Sequence, residues 1–201
     1  MSWHIGGVKQ VREKFGEHQV LKMPWPEHDA AAGGPIVAID GDAVVEAPGV
    51  TLRAIHTPGH APDHLCYYLE EEKALFTGDV VLGAGTTVIP DDTGDLAQYM
   101  DSLHRLLKLD LETIYSAHGP VIRKPREKIR EYIAHRELRE RQVLGALSKS
   151  DPREVMAIVK KIYTDVPEYL HPAAASSVRS HLKKLRKEGR VVEHDKKWSI
   201  A

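Results

Sequence analysis

The sequence predicts a mixed α/β sandwich followed by a small α+β module of winged-helix type. Three observations predict it. Short β-type runs alternate with amphipathic helical stretches through most of the chain. Three potential metal ligands, His60, Asp79 and His118, each follow a β-type run at a Gly-containing turn. The residues after 150 run helix, helix and then two short strands.

Taken in order, Gly6–Gln19 reads as a helix, because Val8, Val11 and Phe15 recur at helical spacing. Residues 23–35 hold three Pro and two Gly around Trp25 and read as a loop. Ile36–Ile39 and Ala43–Glu46 flank Asp40-Gly41-Asp42, and an Asp-Gly pair between β-type runs predicts a hairpin. Val50–His56 is a strand that ends at the loop of His60. His64–Leu69 and Ala74–Thr77 flank the acidic turn Glu70-Glu71-Glu72-Lys73, a second hairpin that delivers Asp79 at its far end. Val80–Ile89, rich in Gly and Thr, reads as a loop of the kind that covers an active site.

Asp95 is placed to cap a helix running to Leu109, whose apolar stripe is Leu96, Tyr99, Leu103, Leu106 and Leu107. Glu112–Ser116 is a short strand leading to His118. Pro125–Leu147 is a long helix, with Ile129, Ile133, Arg136 and Leu138 marking its apolar and mixed faces. A boundary fits at Ser148-Lys149-Ser150, giving domains 1–147 and 148–201. In the tail, Asp151-Pro152-Arg153-Glu154 carries a cap acid, Pro at the first helical position and Glu at the third, which predicts a helix start. Val155, Ile158, Val159 and Ile162 then line one face. A second helix spans Ala173–Glu188, with Val178, Leu182 and Leu185 inside and Gly189 to end it. Arg190–Glu193 and Lys197–Ile200 flank the turn His194-Asp195-Lys196 as a wing.

Composition is that of a globular protein, 42% hydrophobic and 28% charged. No apolar run approaches the ~18 residues that span a bilayer, so no membrane partner is expected. Cys66 is the single cysteine and sits in the apolar run Leu65–Leu69, which predicts a buried structural thiol. Charge is uneven: 12 of the 28 Lys and Arg, but 7 of the 29 Asp and Glu, fall after residue 147. Among the tail's bases, Lys183, Lys184, Arg186 and Lys187 are candidate nucleic-acid contacts, with Trp198 on the wing to stack on a base. The competing reading makes those bases a solvated helix face and Trp198 the plug of a small core.

The segments HTPGHAPDH (56–64), TGDVVLGAGTTV (77–88), AHGPVI (117–122) and YIAHRELRERQ (132–142) resemble the metallo-β-lactamase superfamily, in particular an endoribonuclease branch. The resemblance runs over nearly the whole chain. It implies part of a four-layer αββα sandwich and a site for two metal ions bridged by one aspartate. The family's HxHxDH motif does not occur. The chain opens Met1-Ser2-Trp3-His4-Ile5-Gly6-Gly7-Val8, so His4 aligns with the last His of that motif and Trp3 stands in place of its Asp. The chain therefore reads as beginning inside a catalytic domain, which predicts an uncovered apolar sheet face and an unpaired edge.

What the resemblance implies for the site follows residue by residue. His60 and Asp79 remain for the first metal; Asp79, His118 and His4 remain for the second. Asp79 is the catalytic group. Zinc, one or two ions in intact relatives, is expected here at zero or one, because a catalytic zinc wants about three protein ligands. The implied activity is zinc-dependent hydrolysis, most like a single-stranded-RNA endoribonuclease, impaired by loss of HxHxDH. The alternatives are a thioesterase or hydroxyacylglutathione-hydrolase-like enzyme, and an inactive binding module. Mitochondrial matrix and cytoplasm are not distinguished, and oligomeric state stays open. Of the neighbours, His56 is expected to brace the loop, and Asp63 with His64 to act as outer partners of a ligand or as an ordinary loop pair. His135 is expected inside a helix contact. His18, His28, His104, His171, His181 and His194 are expected at the surface.

Overall fold

A computed structural model describes residues 7–16, 18–30 and 33–201 of the chain. The first helix, α1 (Val8–Phe15), is shorter than its predicted span and stops at Gly16, whose φ is +88°. The stretch read as a loop contains a one-turn helix, α2 (Pro26–Asp29), where Asp29 accepts a hydrogen bond from the Trp25 N–H at 2.9 Å. On either side of it, β1 (Leu21–Lys22) and β2 (Val37–Ala38) pair in parallel.

The predicted Asp40-Gly41-Asp42 hairpin does not form. β3 (Val44–Ala47) pairs instead with β4 (Val50–His56), antiparallel, across Pro48-Gly49. Gly49, at φ +75°, supplies the left-handed residue that the tight turn needs. Gly41 serves a different end: a Cβ there would lie 2.3 Å from the Cβ of His56, so the glycine admits the close pass of two backbones.

β5 (Leu65–Leu69) and β6 (Ala74–Gly78) form the predicted second hairpin. The chain then crosses through helix α3 (Leu96–Leu106) to β7 (Thr113–Ser116), which lies parallel to β6. Asp95 caps α3 as predicted, its side chain accepting from the N–H groups of Ala97 and Gln98. Strand order is β3-β4-β5-β6-β7. Because β6 and β7 are parallel and Gly78 registers with Ser116, the chain leaves both strands at the same end of the sheet, where Asp79 and His118 follow.

Helices α3 and α4 (Pro125–Gly145) cover one face of this sheet. Ile55, Cys66, Leu75 and Ile114 pack there with Leu103, Leu106, Ile129 and Tyr132. On the sheet, Phe76 and Tyr115 stack with ring centroids 5.3 Å apart and stay 41% and 40% exposed. The five-stranded sheet is the one large sheet among the described residues, so the sandwich is partial.

A second core lies beyond α4. It gathers α5 (Val155–Ile162), α6 (His171–Lys187), β9 (Val191–His194) and β10 (Lys197–Ile200) around Val178, Leu182 and Trp198. Val143, Ala146 and Leu147 at the end of α4 also enter this core, so α4 links the two packing units. The predicted helix start at Asp151 is displaced. Arg153 and Glu154 form a strand, β8, that registers with Trp198 and Lys197, and α5 begins at Val155. A sheet edge offered by β10 outcompetes the local cap signal. Among the described residues no helix is long and apolar enough to cross a membrane.

Candidate metal centre

The turn after β4, Thr57-Pro58-Gly59-His60, is held against the start of α3. Gly59 has φ +130°, and a Cβ on it would lie 2.4 Å from the backbone of Tyr99, so glycine is required twice over. The Asp95 N–H donates to the Gly59 carbonyl at 2.9 Å, and Ser102 Oγ donates to the Pro58 carbonyl at 2.9 Å. His60 is thereby aimed at the end of β6. Its Nδ1 lies 2.7 Å from the Val88 carbonyl. A carbonyl accepts only, so Nδ1 carries a proton, and in the neutral ring Nε2 is the nitrogen that presents its lone pair.

That Nε2 is 3.5 Å from Asp79 Oδ2, and His118 Nε2 is 3.4 Å from the other oxygen, Oδ1. Asp79 is fixed from behind by Thr87, whose hydroxyl donates to the Asp79 backbone carbonyl at 2.7 Å. The His118 backbone is fixed by the Gly83 N–H at 2.9 Å and Ser116 Oγ at 2.8 Å, both donating to its carbonyl. Asp79 and His60 are largely sheltered, with side-chain exposures of 13% and 15%, whereas His118 is 63% exposed.

The structure thus brings together three of the four predicted ligands, with Asp79 bracketed by two imidazoles. His4 lies outside the described residues. A nitrogen lone pair aimed at a carboxylate oxygen is an arrangement that a cation fits, and a carboxylate approached on both oxygens suits a bridging role. Among the described residues no three His, Cys, Asp or Glu side chains converge closely enough to hold one ion. Each side of Asp79 therefore offers one histidine plus one carboxylate oxygen. The Val88 carbonyl, which sets the His60 tautomer, was missed in the sequence because a backbone group leaves no residue-type signal.

The neighbours resolve as follows. His56 Nε2 bonds the Pro62 carbonyl at 2.8 Å and braces the loop, as expected. His64 Nδ1 meets Thr57 Oγ1 at 2.9 Å, while Asp63 pairs with Lys22, which also pairs with Asp29 at 2.9 Å. Burial pushes the Cys66 thiol up to about 12, which makes it a structural thiol. Two histidines expected at the surface are buried: His171, bonded to the Val166 carbonyl at 3.1 Å, and His181, only 1% exposed. Both sit in α6, whose inner face was read from its aliphatic residues alone.

The basic residues of α6 each have a partner within the molecule. Lys183 donates to the Asp91 carbonyl, Lys184 pairs with Glu140 and Glu188, Arg186 with Glu193, and Lys187 with Asp95. Lys184 is sheltered in its pairs, whereas the Arg186 and Lys187 side chains stay 53% and 67% exposed. Trp198 is buried in the second core, with the Arg186 guanidinium 5.6 Å from its ring centre. Next to Asp79 lies a cleft of about 430 Å³, lined among others by Met23, Trp25, His28, Leu65, Tyr67 and Pro90.

Comparison with known proteins agrees with this architecture. Residues 4–118 match the family described as the metallo-beta-lactamase superfamily, and residues 155–198 match the beta-lactamase associated winged helix domain. A beta-lactamase-like protein 2 homolog from Caenorhabditis elegans is 38% identical over 192 residues, covering 95% of this chain and 63% of that protein. An atrochrysone carboxyl ACP thioesterase from Aspergillus fumigatus is 39% identical over 153 residues, covering 72% of this chain and 45% of that protein. Among solved structures, a beta-lactamase domain protein from Burkholderia ambifaria superposes with a TM-score of 0.75 at 22% identity, covering 87% of this chain and 56% of the other. The chain spans slightly under two-thirds of the first curated relatives it matches, 63% and 66%.

Proposed function

The chain belongs to the metallo-β-lactamase superfamily, and from that premise we propose that it carries the Asp79-centred part of a metal-dependent hydrolase. The observation that carries this reading is the pair of imidazoles, His60 and His118, set against opposite oxygens of Asp79. A zinc ion would be held by Asp79 and His118, with His4 as the third donor; His60 and Asp79 alone supply two donors, one fewer than a catalytic zinc takes. When bound, such an ion supplies Lewis acidity toward water and the scissile group. The chain's own residues do the positioning. Val88 keeps the His60 proton on Nδ1, Thr87 holds the Asp79 backbone, and Ser116 with Gly83 holds His118.

Single-stranded RNA is the substrate that the endoribonuclease resemblance favours, and the rings of Trp25 and Tyr67 in the cleft suit base stacking. A thioester is a second reading, favoured by the charge of the cleft. Its lysine, Lys22, is tied to Asp29 and Asp63. Apart from the imidazoles of His28, His60 and His64, the rest of the lining is apolar or polar with the acids Asp79 and Asp92, so among the described residues no unpaired lysine or arginine lines it to meet a phosphate. A relative named as an acyl-carrier thioesterase supports that reading as well.

Elemental analysis of the purified chain, beside Asp79→Asn and His118→Ala, tests the metal centre. About one zinc per chain, lost in both variants, is expected; a chain that binds no zinc overturns the reading. Cleavage of a fluorogenic single-stranded oligoribonucleotide against release of thiol from an acyl thioester then separates the two substrate classes.

A further inference from the structure

The loop between β6 and α3 carries more of the candidate site than its composition suggested. Val88 bonds the His60 imidazole, Thr87 bonds the Asp79 carbonyl, and Pro90, Asp92 and Thr93 line the cleft. Within the loop, Thr87 and the Gly94 N–H supply internal hydrogen bonds, to the Asp79 and Pro90 carbonyls. The loop's other partners come from the helices. Tyr132 donates to the Gly85 carbonyl at 2.9 Å, and Arg136, only 6% exposed, donates to the Thr87 carbonyl.

The densest set of restraints comes from α6, in the winged-helix module. Ser180 Oγ donates to the Ile89 carbonyl at 3.1 Å. Arg179 pairs with the Asp91 carboxylate, Ser176 Oγ reaches the same carboxylate at 3.3 Å, and Lys183 donates to the Asp91 carbonyl. One turn further on, Lys187 pairs with Asp95 at 2.6 Å. Asp95 caps α3 and bonds the Gly59 carbonyl beside His60. Positions 176, 179, 180, 183 and 187 follow helical spacing, so they form a single stripe along α6. Of the basic residues on α6, Arg179, Lys183 and Lys187 lie on this stripe.

We infer that α6 is a strut for the candidate metal centre: Arg179, Ser180 and Lys183 are positioning residues that hold residues 89–91, so that Val88 and Thr87 keep His60 and Asp79 aimed at each other. The winged-helix module then acts on the centre by docking. Metal binding and docking favour one another, because both require the same loop conformation. The link to metal affinity rests on the proposed metal centre; the loop-holding role does not.

The test uses the full chain with Arg179→Ala and Lys183→Ala, singly and together, and the conservative Arg179→Lys. Two readouts are taken. Backbone amide exchange is followed at Gly94 and Asp95, whose N–H groups bond the Pro90 and Gly59 carbonyls, with the amides of α5 and β9 as a check that the module stays folded. Zinc affinity is measured by competition with a chromophoric chelator.

The double variant is expected to exchange at Gly94 and Asp95 at least about tenfold faster, with α5 and β9 still protected. Its zinc affinity should fall by about tenfold, the scale on which outer partners of a metal ligand act, and Arg179→Lys should recover part of both effects. Unchanged exchange at Gly94 and Asp95 in a folded double variant overturns the strut. So does equal loss of protection throughout α5 and β9, which would mean general unfolding. If the parent chain binds no zinc, the metal reading fails while the exchange comparison still decides whether α6 holds the loop.

Discussion

His181 shows what a single buried side chain does to this molecule. It lies in α6 against α4, and both ring nitrogens are buried without a hydrogen-bond partner among the described residues. Burial pushes its pKa down to about 3, and the cations Arg136, Arg139 and Lys184 act in the same direction. In the unfolded chain the ring titrates near ~6.5. Between those values the unfolded state binds the extra proton, so this residue's contribution is intact above ~6.5 and is lost as pH falls through the window. The slope approaches ~1.4 kcal/mol per pH unit. His181→Leu removes two unpaired polar atoms at similar volume. Urea unfolding from about pH 7 to about pH 4 should show a midpoint at least equal to the parent's at the upper end and a flatter acid limb; an unchanged limb would assign the acid sensitivity elsewhere. The sequence alone made this histidine look like a surface residue, because no residue type within its own stretch reports that α4 closes over it.

At the scale of elements, α6 and the β6–α3 loop are best understood together. The helix was legible from Val178, Leu182 and Leu185, and so was its basic character. Its partners were not, because Asp91, Asp95 and Glu140 are 44 to 92 residues away in the chain from the bases they meet. One of these contacts is well sheltered on both sides: the Lys184 and Glu140 side chains are 15% and 18% exposed. Replacing Lys183, Lys184, Arg186 and Lys187 together by Ala is therefore expected to lower thermal stability by a few degrees, chiefly through the sheltered Lys184 pair, since the exposed Arg186 and Lys187 pairs are each worth only ~0–1 kcal/mol. The same variant should leave the salt dependence of binding to a single-stranded oligonucleotide almost unchanged, as measured by fluorescence anisotropy across a salt series. A fall in slope of about four would instead show four phosphate contacts. The Asp-Gly pair at 40–42 teaches a parallel lesson. A strong local hairpin signal yielded to pairing of β3 with β4, and Gly41 instead admits the close pass of His56.

For the whole molecule, the partial sandwich leaves Phe76 and Tyr115 stacked and about two-fifths exposed on the sheet. Exposed apolar rings on a flat sheet favour association. Phe76→Lys is expected to reduce concentration-dependent self-association in sedimentation velocity with less than about a 3 °C change in melting temperature, a small effect for a half-exposed site. Association that persists unchanged would place the contact on another surface. The α/β class, the second hairpin, the main helices, the winged-helix tail and the places of the candidate ligands His60, Asp79 and His118 at strand ends were readable from the chain. Those features are written in short-range signals: period-2 and period-3.6 patterning, turn glycines and ligand types at strand ends. Tertiary structure alone decided the His60 tautomer through Val88, the burial of His181, the third wing strand at Arg153–Glu154 and the use of α6's charges against Asp91 and Asp95. Each of these depends on backbone groups or on residues distant in sequence, and such contacts acquire their identity only when packing brings the elements together.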